Sequence, residues 1–230
     1  VFGGKGKGKD ANASGSASRS DTVAVGLKLA PVNLDIRHQS GSALEQILIG
    51  NVYEGLVSRG SDNKVHPGLA KSWEISKDGL TYTFHLREGV KFHTTDYFKP
   101  TREFNADDVL WSFQRQLDPA HPWHGLSLRG FPYAEAMGLA QLIERVEKLD
   151  EHRVRFVLKH PEAPFLANLA MGFASIYSAE YADHLLATNQ PERLNNAPIG
   201  TGPFIFERYA KDAQVRFRGN PDHWDGAPSV

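Results

Sequence analysis

The chain has 230 residues, 40% of them apolar, and a formal net charge of -1. That length can bury a sizeable core in one domain or two small ones, and the near-neutral balance offers no bulk field for nucleic acid or an anionic membrane. No run of about 18 apolar residues reads as a membrane-spanning helix, and the absence of cysteine rules out disulfides and thiolate chemistry while fitting either redox compartment.

Residues 1–20, VFGGKGKGKDANASGSASRS, are polar and rich in Gly. They lack the pattern of a signal peptide and carry too little apolar surface to offset the entropy of ordering. A flexible tail is expected, either a disordered terminus or the tether that follows a lipidated Cys lying upstream. Thr22–Ala30 is expected as a short strand, followed by a loop over Pro31–Asp35. Leu44, Ile47, Leu48, Val52 and Leu56 fall at helical spacing and predict a helix over Ser42–Leu56. Asn51–Val57 leads into a strand.

The run Ala70–His93 has the clearest local pattern. Tyr82, Phe84 and Leu86 alternate with Thr81, Thr83, His85 and Arg87, which predicts a half-buried strand. Asp78-Gly79 supplies the turn before it, and Trp73 anchors the preceding segment. Glu88-Gly89 interrupts the strand, and Val90–Phe92 is expected to resume it. The run holds neither a positioned nucleophile nor metal-ligand spacing.

Thr101–Gln116 predicts a helix with Asn105 as its N-cap and Asp107 and Asp108 in the first turn. Asp108 completes a capping box, and Val109, Leu110, Phe113 and Leu117 form the apolar stripe. Adjacent helical positions diverge, so the two carboxylates are capping groups and not an acid–base pair. Residues 118–138 form a long loop rich in Pro, Gly, His and aromatic residues, and such loops are often functional. His121-Pro-Trp-His124 has a spacing seen in metal sites, but without Cys or a second paired cluster no metal is expected. Phe131 and Tyr133 suit contact with an apolar ligand or a facing lobe, or simple loop packing.

A short helix is expected over Leu139–Val146, with strands at 147–149 and 153–158 about the turn Asp150–His152. Phe165–Leu169 begins a helical turn, and Ser178 caps a helix running to Leu186. Residues 188–197 read as a polar loop. In Pro198-Ile-Gly-Thr-Gly-Pro-Phe204, Gly200 and Gly202 allow unusual φ and close backbone approach. The Gly-x-Gly precedes a strand and not a helix N-terminus, so it is not read as a phosphate loop. Phe204–Tyr209 and Gln214–Phe217 form a hairpin, and Asn220–Trp224 a turn with an aromatic anchor.

Four of these stretches, in order, resemble the family 5 extracellular solute-binding proteins, the peptide and nickel receptors of ABC importers. They are Ala70–His93, Phe104–Arg115, Pro198–Phe204 and Asn220–Trp224. Thr94–Arg102, Phe131-Pro-Tyr133 and Glu162–Phe165 are most similar to the dipeptide receptor branch. Val32-Asn-Leu-Asp35 stands where that branch has a Phe-Asn-Pro pattern. The resemblance implies a mixed α/β fold of the periplasmic-binding-protein type (class II). Residues 21–55 would be the first segment of lobe I, 56–195 the family-specific α+β subdomain and 196–230 the return segment, with the second lobe absent.

It further implies the substrate-binding component of an importer of dipeptide-like ligands. Such a protein is not an enzyme and needs no cofactor or metal. It is a periplasmic monomer that docks on ABC permease subunits, does not bind nucleic acid, and touches the membrane only through a lipid anchor. The residues that grip the peptide ends would lie on the second lobe. By motif position, Leu29, Ala30, Pro31, Phe131 and Tyr133 are the ligand contacts implied here. The alternatives are a nickel chelate, haem or an oligosaccharide as ligand, or an isolated fragment without ligand affinity.

Overall fold

The computed structural model describes residues 23–24, 26, 34–37, 47–127, 130–210 and 214–229. The expected tail, most of the strand over Thr22–Ala30 and the first turns of the helix over Ser42–Leu56 lie outside them. Three antiparallel sheets are present among the described residues. β1 (Val57–Arg59) pairs with β2 (Val65–Pro67). β3 (Ala70–Ile75), β4 (Thr81–Leu86), β5 (Ile143–Asp150) and β6 (Arg153–Leu158) form a four-stranded sheet in the order β3-β4-β6-β5. β7 (Phe204–Ala210) and β8 (Gln214–Gly219) form the closing hairpin.

The alternation in β4 takes the orientation its period demands: Tyr82, Phe84 and Leu86 are buried. Opposite them in register, Phe156 faces Tyr82 and Val154 faces Phe84. Helix α1 (Ala106–Leu117) packs over this face, with the Phe113 ring 4.8 Å edge-on to Phe156. Phe84 meets the same ring at 5.6 Å. The short helix α4 (Phe165–Asn168) brings Phe165 to within 4.8 Å of Tyr82. Trp73, half-buried on β3, packs its ring 6.4 Å from Phe84. Between α1 and β5 lie two short helices, α2 (Pro132–Ala136) and α3 (Leu139–Leu142). Helix α5 (Ala179–Ala187) starts at the Ser178 cap, whose hydroxyl accepts from the Tyr181 N–H.

The Asn105 cap and the capping box both form, although the helix starts at Ala106 and not at Thr101. Asp108 does more than cap. Fully buried, it accepts hydrogen bonds from both terminal nitrogens of Arg102 at 2.8 Å, from the Asn105 N–H and from the Ala179 N–H. It thus fastens the start of α1 to the start of α5. Burial pushes its carboxyl upward despite Arg102 and these donors.

Three expected elements end elsewhere. The helix over Ser42–Leu56 stops at Leu48, because Gly50 adopts φ 72 and turns the chain. The Val52 and Tyr53 N–H groups both return to the Leu48 carbonyl at 2.9 Å. Leu48, Val52 and Leu56 are all buried even so, which explains the helical spacing without a helix. The helix over Leu139–Val146 stops at Leu142, and Ile143–Val146 joins β5 because pairing with β6 overrides local helical preference. Val90–Phe92 does not resume a strand. Gly89 at φ 73 redirects the chain, and Val90 and Phe92 are buried in an irregular segment.

Candidate ligand site

Of the residues implied as ligand contacts, Leu29, Ala30 and Pro31 lie outside the described residues. The segment just after them, Leu34–Arg37, is buried. Asp35 accepts a 2.6 Å ion-pair contact at Oδ2 from Arg115 Nη2, and both side chains are almost wholly buried. Its Oδ1 accepts from the Tyr177 hydroxyl at 3.0 Å and from the Arg37 N–H at 3.2 Å. The Arg37 guanidinium lies over the Tyr177 ring at 4.4 Å and donates through Nη2 to the Ser175 carbonyl. Tyr177 in turn stacks on Tyr53 at 4.3 Å.

Phe131 completes this cluster from the other side. It is buried at the start of α2, with its ring centroid 5.6 Å from the Arg115 guanidinium and 5.3 Å from the His124 ring. Trp111 and Trp123 flank the same guanidinium at 5.6 and 5.8 Å. Tyr133 sits one residue into α2 and is half-buried. The structure therefore joins the segment following Leu29–Pro31 to the Phe131 loop through the Asp35–Arg115 pair. Sequence reasoning did not find that pair, because its members are 80 residues apart and share no local period. The available signal was charge inside apolar surroundings, Asp35 between Leu34 and Ile36.

The buried guanidiniums of Arg37 and Arg115 lie beside the buried Asp35 carboxylate. Burial lowers Arg37 to about 10, so it stays cationic at neutral pH. Burial raises Tyr177 and Tyr53, which remain neutral hydroxyls. His121 and His124 serve the packing of this loop. His121 meets the Trp111 ring at 5.8 Å, and His124 Nδ1 donates to the Arg115 carbonyl at 2.9 Å. Among the described residues no group of three or more His, Asp or Glu side chains gathers as a metal site would require.

A second assembly explains the Gly200-Thr-Gly202 motif. An added Cβ at Gly200 would lie 1.9 Å from the Val52 carbonyl oxygen, and at Gly202 2.2 Å from that of Asn51. Neither glycine has positive φ, so the requirement is close approach and not backbone freedom. The Gly202 and Phe204 N–H groups donate to the Val52 and Asn51 carbonyls. Buried His93 donates from Nε2 to the Gly202 carbonyl at 2.8 Å and accepts at Nδ1 from the Gly200 N–H. Nearby, Glu54 accepts from Thr201 Oγ1, His223 Nε2 and Trp224 Nε1 at 2.8, 3.1 and 3.0 Å.

These two histidines respond to pH in opposite directions. Burial lowers His93 to about 4, from an ordinary value of 6.5. Its contribution to stability is complete above pH 6.5 and is lost as pH falls from there toward 4, with an upper bound of about 3 kcal/mol. For His223 burial opposes charge, but the Glu54 hydrogen bond and charge outweigh it and raise the pKa. That contribution is present below 6.5 and fades as pH rises through the raised value. Urea midpoints measured between pH 7 and 4.5 should fall for the natural chain. They should fall much less for His93→Gln, whose amide can still donate to the Gly202 carbonyl. Identical slopes for the two proteins would remove His93 from the acid response.

Comparison with known proteins places these features in context. The family model for bacterial extracellular solute-binding proteins, family 5 Middle, matches residues 64–230. Di/tripeptide-binding protein 2 of Pseudomonas aeruginosa is 59% identical over 211 residues, covering 91% of this chain and 40% of that protein. Heme-binding protein A of Haemophilus influenzae is 53% identical over 177 residues, 76% of this chain and 32% of that protein. The dipeptide binding protein of Pseudoalteromonas sp. SM9913, solved in complex with Met-Leu, superposes with a TM-score of 0.82 at 42% identity, covering 84% of this chain and 38% of that one. The chain thus spans two fifths or less of the length of these relatives. Its mixed α/β architecture is the one that solved dipeptide binding protein has in the matched portion.

Proposed function

The chain belongs to the family 5 bacterial extracellular solute-binding proteins, and from that premise we propose that it is one part of the peptide-capturing receptor of an ABC importer. Its ligands are dipeptide-like. Residues 21–55 and 196–230 belong to lobe I, and residues 56–195 form the subdomain carried on it. Leu29, Ala30 and Pro31 contact the ligand together with the Phe131–Tyr133 loop. The Asp35–Arg115 pair, with the Phe131 ring against the Arg115 guanidinium, brings Leu34–Arg37 to the Phe131 loop. The receptor performs no chemistry on its ligand and needs no cofactor. It works in the periplasm as a monomer, delivers peptide to the permease subunits, and is held at the membrane only by a lipid anchor.

The observation that carries this reading is the match to a solved relative holding Met-Leu, at 42% identity over 84% of the chain. A haem ligand is the second reading, favoured by the 53% identity to a heme-binding protein. The buried interior around Arg115 offers aromatic walls that would suit either ligand. Calorimetric titration separates the two. The chain is first completed with the C-terminal portion of a di/tripeptide-binding relative. It is then titrated with a dipeptide panel, haem and a nickel–histidine chelate. Saturable heat with dipeptides alone is expected. Binding of haem or the chelate with no heat from any peptide would overturn the peptide assignment.

A further inference from the structure

The turn that follows β8 is tied to Glu54 by a histidine whose two ring nitrogens both face oxygens. Nε2 of His223 lies 3.1 Å from Glu54 Oε1, and its Nδ1 lies 3.2 Å from the Gly226 carbonyl. The two side chains, His223 and Glu54, are only 9% and 14% exposed, so neither contact is readily replaced by water. A carboxylate and a carbonyl accept hydrogen bonds and do not donate them, whereas a neutral imidazole has only one N–H. Both contacts are therefore satisfied only when the ring is the imidazolium cation. Buried His93 is the opposite case. Its Nδ1 accepts from the Gly200 N–H and its Nε2 donates to the Gly202 carbonyl, which requires the neutral ring.

Glu54 decides which proton His223 gives up. Its charge holds the Nε2–H, so the proton passes to solvent from Nδ1, and a lone pair then faces the Gly226 carbonyl. Gly226 is free to turn away: it has φ 98, and nothing lies within 4 Å of its Cβ position. The rest of the turn keeps ties that do not titrate with the ring. Trp224 Nε1 donates to Glu54 Oε2, the Arg87 guanidinium lies 4.1 Å over the Trp224 ring, and Asn220 Nδ2 donates to the Gly202 carbonyl. The other charged groups about the two rings are Asp225, Arg218 on β8 and the Lys91–Asp222 pair. Burial works against charge on His223, yet the Glu54 hydrogen bond and charge raise its pKa above the ordinary value. We propose that His223 is a proton-operated latch at the exit of this turn. As the cation it fixes the Gly226 carbonyl, and loss of the Nδ1 proton frees Gly226 to redirect the residues after it, while the Gly200–Gly202 clasp stays shut.

The test is nuclear magnetic resonance on the 230-residue chain with 15N-labelled histidine and backbone. At pH 6.5, where an ordinary histidine is half charged, His223 should be mostly the cation, with both ring nitrogens protonated. His93 should be a single neutral tautomer. As pH rises, the Gly226 and Ala227 amide signals should shift with the midpoint of the His223 ring, and the Gly200 and Gly202 amides should not follow it. Glu54→Gln, which keeps an acceptor but removes the charge, should lower the His223 midpoint by about one pH unit or more. His223→Gln keeps a donor for Glu54 and does not titrate, so its Gly226 and Ala227 amides should be flat over the same range. A His223 ring that is mostly neutral at pH 6.5 would overturn the proposal. So would Gly226 and Ala227 amides that ignore the ring, shifts that persist in His223→Gln, or Gly200 and Gly202 amides that move together with Gly226.

Discussion

Replacing Phe84 with Asp is expected to leave no cooperatively folded chain. Phe84 is 0% exposed at the centre of β4, flanked by Trp73 on one neighbouring strand and Phe156 on the other. Truncating a buried Phe alone costs about 3–5 kcal/mol. The carboxylate adds the cost of an unpaired buried charge, or of the proton needed to neutralise it. Together these approach the roughly 5–15 kcal/mol that holds a typical domain together. Near-ultraviolet circular dichroism and a urea titration should show no native signal and no sigmoidal transition. The comparison variant is Thr83→Asp, one residue along and on the opposite face of the strand. It should keep both. A stable Phe84→Asp protein would mean that the faces of β4 are reversed.

Gly200→Ala is the second large effect. The new methyl would sit 1.9 Å from the Val52 carbonyl oxygen and 2.7 Å from its carbon, and both are backbone atoms that cannot rotate away. To admit it, the 198–204 segment must leave the 51–53 turn. That disrupts the Gly202 to Val52 and Phe204 to Asn51 hydrogen bonds, and the His93 contacts with them. Overpacking of this kind costs about 3 kcal/mol or more. Gly125→Ala is the internal control, since nothing lies within 4 Å of its added Cβ. Its urea midpoint should move by less than about 0.5 kcal/mol equivalent. Equal, small shifts at both positions would show that the 198–204 segment is not clasped as described.

Much of this scaffold is written locally and was legible for that reason. The β4 alternation, the Asn105 and Ser178 caps and the closing hairpin each depend on residues a few positions apart, and the structure has all of them. The errors fall where distant partners decide. Ile143–Val146 carries an ambiguous pattern, and the edge of β6 settles it as strand. Leu48, Val52 and Leu56 keep a helical spacing although Gly50 ends the helix, because all three are drawn into one core by tertiary packing.

The candidate site was the least legible part. Its centre joins positions 35, 37, 115 and 177 from three separate stretches, and no periodicity links them. As a loop aromatic, Phe131 suits either ligand contact or loop packing, and the structure buries it against Arg115. The reason is local to the cluster: a buried guanidinium needs apolar and aromatic walls, and the loop supplies one. The Gly200–Gly202 motif, by contrast, suggests both unusual φ and close backbone approach; the structure has only the second, with the Asn51 and Val52 carbonyls as what approaches.

On the proposed reading this chain supplies one side of a clamp, and a peptide is held only when a second lobe covers it. Small ligands need most of their surface buried to bind well, and the hollow lined by Lys71, Glu88, Asp150 and Arg153 is open to solvent. The direct measurement is the dipeptide affinity of the 230-residue chain beside that of the completed chain, by calorimetry in one buffer. The 230-residue chain should bind on the order of 100-fold more weakly, or without measurable heat. Equal affinity in the two would contradict the clamp and place the whole of the binding site on this chain.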